Sequence, residues 1–117
     1  MEEIPLKQRN IVLVPFPFSD QSGTKVRPAL ILSNTTFNAT SQDVIICAIT
    51  TQHAPGATIP LSQKNLETGK LYDNCFIKPE NLCKIHRNKI IKNIGTVNKE
   101  TLAKTNKAIL TLIAPTD

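Results

Sequence analysis

The chain has no tryptophan, one tyrosine and only four phenylalanines. A protein that grips single strands mainly by stacking bases on rings wants more than these. Cysteine is scarce too: Cys47, Cys75 and Cys83 are an odd number with no C-x-x-C pair. That leaves no readable disulfide framework or zinc site. Cys47 lies in an apolar run and reads as a small core residue. No apolar run approaches the ~20 residues of a membrane-crossing helix. Met1–Asn10 is polar and charged, so no signal peptide is expected and the chain reads as cytoplasmic, with no membrane partner. His53 and His86 are the only histidines. Either could titrate near neutrality, but neither sits in a triad or metal spacing. No G-x-S-x-G, P-loop or H-E-x-x-H occurs, and no metal or cofactor is expected.

What is present is a basic chain of 117 residues with a net charge of +5 and a pI near 9.3. This length reads as one domain, 1–117, able to bury roughly two-thirds of its unfolded surface. The charge favours anionic partners, with nucleic acid first among them. Eleven of the cations are lysines spread along the chain, which also suits an ordinary basic surface.

The first four-fifths of the chain carry strand signals and the end carries a helix signal. Ile11–Val14 reads as a strand leading into Pro15-Phe16-Pro17-Phe18. Two prolines there remove ladder donors, so an edge or a strand exit is expected. Phe16 and Phe18 read as core or loop anchors. Ser19–Thr24 is a loop in which Gly23 can supply a positive φ. Arg27–Ser33 reads as a strand buried on both faces, and so does Asp43–Thr51. Asn34–Gln42 is polar and turn-rich, and Gln52–Ala57 is a loop. Thr58–Leu61 is a short strand, and Ser62–Gly69 a connector with room for one helical turn. Asn74–Lys78 is a strand ended by Pro79, Asn81–Lys89 is irregular, and Ile90–Thr96 is the last strand. Asn98 is a good N-cap, Glu100 sits in the first turn, and Val97 can staple to Leu102. Leu102, Ile109, Leu110 and Ile113 keep helical spacing until Pro115, predicting a helix of about 15 residues. The pattern predicts a mainly β fold, a small barrel or half-barrel with a C-terminal helix.

Three places can carry chemistry. Lys25 and Arg27 flank the polar loop and precede a buried strand. An arginine fork there either meets phosphate oxygens or pairs a buried carboxylate. Thr50 and Thr51 close an apolar strand, and a hydroxyl there can donate to a phosphate or simply suit a strand. Lys78-Pro79-Glu80-Asn81 places a cation and a carboxylate two apart. The pair either does acid–base work or is an exposed ion pair worth ~0–1 kcal/mol.

Together these blocks resemble the MazF/PemK (Kid-like) toxins of toxin–antitoxin systems. Ile11–Gly23 is similar to that family's first strand and loop. Lys25-Val26-Arg27-Pro28-Ala29-Leu30-Ile31-Leu32-Ser33-Asn34 is close to its R-P-x-L-x-x-S/Q-N signature. Ala48-Ile49-Thr50 resembles its third-strand A/P-I-T/S segment, and Ile77–Ile85, with Lys78 and Glu80, the segment that ends in R/K-x-I in the family. The resemblance implies an SH3-like barrel that dimerises and binds single-stranded RNA at the dimer interface. It implies metal-independent cleavage by 2′-hydroxyl attack, leaving a 2′,3′-cyclic phosphate and a 5′-hydroxyl. By position, Arg27 leads, Thr50 partners it, and Lys78 with Glu80 do the acid–base work. Lys25, Ser22, Thr24, Thr51, Gln52, His53, Lys84 and His86 are the implied RNA contacts. Water or His86 is the expected proton donor, because arginine hardly releases a proton. An acidic antitoxin peptide that folds on docking is the expected protein partner, with DNA binding by the toxin–antitoxin complex. Lys78 is a point charge where the family has an arginine fork, and Ser22-Gly23-Thr24 stands where many members have an E-Q pair. The rival reading is a non-catalytic RNA- or partner-binding module, or a gyrase poison like the CcdB toxins. The helix end, Ile113-Ala114-Pro115-Thr116-Asp117, has no aromatic for that last role.

Overall fold

The computed structural model describes residues 5–16, 25–52 and 59–116. Expectations placed on Ser22, Thr24, His53 and the Ser19–Thr24 loop lie outside them. The strands are β1 (Asn10–Phe16), β2 (Lys25–Ile31), β3 (Asp43–Thr50), β4 (Ile59–Leu61), β5 (Leu66–Gly69), β6 (Cys75–His86) and β7 (Lys92–Val97). Among the described residues there are two α-helices, α1 (Thr35–Thr40) and α2 (Lys99–Ile113). All pairings are antiparallel, in the order β4-β6-β3-β2-β1-β7-β5. The end strands β4 and β5 do not pair with each other, so the curled sheet is a half-barrel. None of the described helices is long and apolar enough to cross a membrane.

Strand alternation sorts the apolar runs into two cores. Val12, Val14, Phe16, Ala29, Ile31, Val44, Ile46 and Ala48 fill one. Ile11, Leu30, Leu32, Cys47, Ile49, Leu61, Ile77 and Val97 fill the other, across the sheet. Successive residues of Ala29–Leu32 and of Val44–Ile49 thus enter opposite cores, which is why those stretches are apolar without interruption.

Several boundaries differ from the sequence reading. β2 runs from Lys25 to Ile31 rather than from Arg27 to Ser33, so Lys25 is a strand residue and not part of the loop. β6 does not stop at Pro79 but runs twelve residues to His86. The register explains it: Lys78 faces Ala48 and Leu82 faces Cys47, so Pro79, Glu80 and Asn81 bulge out of the ladder. A proline is tolerated there because a bulge needs no donor. Beyond the bulge, Cys83 and Ile85 pack inward while Lys84 and His86 face out. The Ser62–Gly69 connector contains the expected turn, at Gln63–Asn65, and then an unexpected strand, β5. Pro15 does lie at an exit: β1 pairs with β7 only as far as Leu13.

The polar stretch after Ser33 holds α1, which the sequence reading missed. Asn34 caps it, its Oδ1 accepting from the Phe37 N–H at 2.7 Å. Asn38 is buried beneath it; its Nδ2 donates to the carbonyls of Leu6 (3.1 Å) and Ser33 (3.0 Å). The Ser33 hydroxyl donates to Asn38 Oδ1. Asn38→Ala should therefore lower stability by about 1–3 kcal/mol, since it strands two carbonyls away from water. Urea unfolding of the two proteins checks this.

α2 starts as expected, with Asn98 Oδ1 accepting from the Thr101 N–H at 2.9 Å. Thr101 and Thr105 are its buried residues, and Leu102 and Ile109 pack on the second core. Leu110 and Ile113 do not reach the sheet: they are 64% and 71% exposed.

Candidate functional site

Three adjacent strands bring their polar residues to one end of one sheet face. Arg27 lies opposite Val14, and Lys78 lies opposite Ala48. Val14 and Ala48 belong to the first core, so both cations project on that core's side, just beyond where it ends. Thr50 follows Ala48 by two residues and shares its face. The β2–β3 ladder closes with Ala29 opposite Ala48, and Pro28 brings no N–H to extend it. On the other side the 79–81 bulge lifts β6 away from β3. Between these two interruptions opens a cleft of about 240 Å³. Arg27, Thr50, Thr51, Gln52, Lys78 and Asn81 line it, over buried Phe16, Ala48 and Ile49.

The cleft is cationic. Arg27 is exposed, and among the described residues no carboxylate pairs with it. Lys78 Nζ lies 3.8 Å from a Glu80 carboxylate oxygen, with the side chains 25% and 40% exposed. That separation and exposure leave Lys78 only loosely held, so an arriving anion can compete for it. Thr50 Oγ1 accepts from the Gln52 N–H at 3.1 Å, which leaves its own O–H to donate. Beneath the site, burial pushes the Cys47 thiol up to about 12, with Glu80 and Cys83 adding to the effect. Cys47 stays a protonated core residue and offers no nucleophile. Among the described residues, no three His, Cys, Asp or Glu side chains could together hold a metal ion.

The structure gathers some of the residues expected at the site and separates others. Arg27, Thr50, Thr51, Gln52 and Lys78 share the cleft, and Glu80 stands beside it on the bulge. Lys25 begins β2 opposite Phe16, on the same face as Arg27 but outside the cleft lining. Lys84 lies opposite Ile45 and pairs with Asp43 at 3.6 Å. His86 lies opposite Asp43, at the far end of the ladder from Thr50. Seven residue steps along β3 separate those ends, about 23 Å at ~3.3 Å per residue. Its Nδ1 accepts from the Asn88 N–H at 3.1 Å. Within one protomer, His86 is therefore out of reach as a proton donor for the cleft. Asn81 and Phe16 also line the site, although the sequence reading took Phe16 only as a core or loop anchor and gave Asn81 no contact of its own. Asn81 was legible only through the bulge, which turns the residue after Glu80 back toward β3.

An exposed arginine, a hydroxyl donor and a loosely held lysine around one small cleft suit a phosphate. Comparison with known proteins agrees in architecture. A search of curated proteins gives no match. The Mycobacterium tuberculosis toxin MazF-mt6 superposes with a TM-score of 0.72 at 21% identity, over 88% of this chain and 94% of its own. An endoribonuclease in complex with its cognate antitoxin, from a mycobacterial species, gives 0.70 at 20% identity, over 97% and 98%. A MazE–MazF structure from Deinococcus radiodurans gives 0.75 at 16% identity, over 95% and 97%. At such identities the likeness speaks for the fold. The sequence itself matches a family description across residues 7–113. On that match the chain belongs to the PemK-like, MazF-like toxins of type II toxin–antitoxin systems.

Proposed function

We propose that this protein is an endoribonuclease toxin that cuts single-stranded RNA by internal transesterification. The observation that carries the reading is the meeting of Arg27, Thr50 and Lys78, from three strands, around one cleft. The scissile phosphate sits against the Arg27 fork, with the Thr50 hydroxyl donating to a second non-bridging oxygen. Both contacts strengthen as the phosphorane gains charge, and each such donor is worth ~3–4 kcal/mol in a preorganised site. Glu80 takes the proton of the 2′-hydroxyl, and Lys78 beside it keeps the carboxylate near the cleft. The 2′-oxygen forms a bond to phosphorus as the bond from phosphorus to the 5′-oxygen breaks. Water protonates the leaving 5′-oxygen, since His86 stands too far away. The products are a 2′,3′-cyclic phosphate and a 5′-hydroxyl.

The partners follow from the same surfaces. An acidic antitoxin segment suits a chain of net charge +5. Two of the similar solved structures are toxin–antitoxin complexes. A second copy of the chain is the proposed cover for Leu110, Leu112 and Ile113 at the end of α2.

End-mapping of a long RNA treated with the protein in excess chelator tests the reading. Cuts at a short recurrent sequence, with cyclic-phosphate and 5′-hydroxyl ends, are expected. RNA that stays intact overturns the nuclease reading and leaves a binding module on the same fold.

A further inference from the structure

A second groove of about 760 Å³ adjoins the cleft, with Thr51 on the wall of both. Its apolar lining comes from Leu13, Pro28, Leu71 and Ile94. Pro28 is the strand neighbour of Arg27, so the groove opens on the opposite face of β2 from the phosphate site. Tyr72 stands on its edge, 86% exposed. A lone exposed ring means little by itself. This one, however, is the chain's sole tyrosine and is flanked by cations. Lys70 Nζ lies 5.7 Å from the ring centroid, and Lys92 lines the same groove. Asp73 is the acid on this lining, an acceptor suited to an exocyclic amino group.

We propose that this groove is a nucleobase subsite, in which Tyr72 stacks on a base of the RNA strand where it leaves the cleft past Thr51 and Lys70 and Lys92 hold the flanking phosphate. It rests on the reading of the cleft as an RNA site and deepens it. The Lys70 ammonium over the ring holds Tyr72 in place before RNA arrives, so less side-chain freedom is lost on binding. A chain so poor in rings cannot stack a long run of bases, but one ring where the strand leaves the cleft is enough to place one base. An acidic antitoxin segment is the rival occupant. The apolar floor and the exposed ring favour a flat base over a carboxylate-rich strand.

The composition supplies a reporter. With no tryptophan present, tyrosine emission comes from Tyr72 alone. The probe is a mixed-sequence 2′-O-methyl oligonucleotide, which lacks the attacking hydroxyl, with binding followed independently by anisotropy of an end label. Saturable loss of Tyr72 emission is expected, and an abasic oligonucleotide of equal length should not cause it. In cleavage assays Tyr72→Ala should raise KM about 5- to 100-fold, with kcat nearly unchanged, and Tyr72→Phe should restore KM. Unchanged emission at saturating oligonucleotide overturns the proposal, as does Tyr72→Ala with wild-type KM. Quenching by an oligoglutamate peptide but not by the oligonucleotide also overturns it, and gives the groove to a protein partner. Emission does not depend on catalysis, so quenching without cleavage keeps the subsite and removes the nuclease. Cleavage without quenching does the reverse.

Discussion

Arg27→Ala should slow RNA cleavage by at least about 10²–10³-fold, the usual loss when one preorganised oxyanion donor is removed. The melting temperature should hardly move. The residue is exposed, and among the described residues it holds no carboxylate. Surface changes of that kind stay within about 0.5 kcal/mol. Its backbone contribution to β2, opposite Val14, survives the substitution. Paired measurements of single-turnover cleavage and thermal unfolding separate the two effects. Arg27→Lys sharpens the test: it keeps the charge but loses the two-pronged fork, so its rate should fall between the others. An Arg27→Ala protein that cuts as fast as wild type would remove Arg27 from the site. One that melts far below wild type would mean the arginine is structural, the alternative that local sequence left open.

How much of this was legible beforehand depended on whether a signal was local. Asn98 ahead of an apolar helical pattern needs only its own neighbours to be read, and it caps α2 as expected. The runs through β2 and β3 are apolar because two cores take alternate residues, and a run without breaks says so directly. By contrast, the second half of β6, beyond Pro79, is a strand only because β3 lies alongside it. Pro79 and the outward Leu82 hide its alternation, and the bulge that carries Glu80 and Asn81 exists only in the pairing register. β5 likewise gains its strand character from β7. The apolar end of α2 misled in the other direction: helical spacing predicted burial, but the sheet stops short of Leu110 and Ile113. Arg27, Thr50 and Lys78 could each be suspected singly. Their shared face needed two registers at once, which no single stretch of sequence contains.

The second large effect is expected in the sheet itself, at Gly69. Gly69→Ala should lower stability by roughly 3 kcal/mol or more, since two costs add. Its φ of +92° is one that a residue with a Cβ adopts at a cost of about 1–3 kcal/mol. A Cβ there would also stand 2.3 Å from the Ile94 carbonyl oxygen and 2.5 Å from the Gly95 Cα. Both are backbone atoms of β7, so no side chain can swing aside. Gly69 pairs with Gly95 at the end of β5, and the sheet reaches that spacing only because two glycines face each other. Relief requires β5 to separate from β7. β5 is the outermost strand and pairs with β7 alone, so the loss should stay local at first. Hydrogen exchange should then show faster opening of the β5 amides before those of β2 and β3, with a melting temperature lower by about 10 °C. Gly95→Ala is the control: its Cβ would meet the Thr68 carbonyl oxygen at 2.8 Å without a positive φ. It should cost less than Gly69→Ala. If instead Gly69→Ala melts with the wild type, the close approach of β5 to β7 is not part of the folded state.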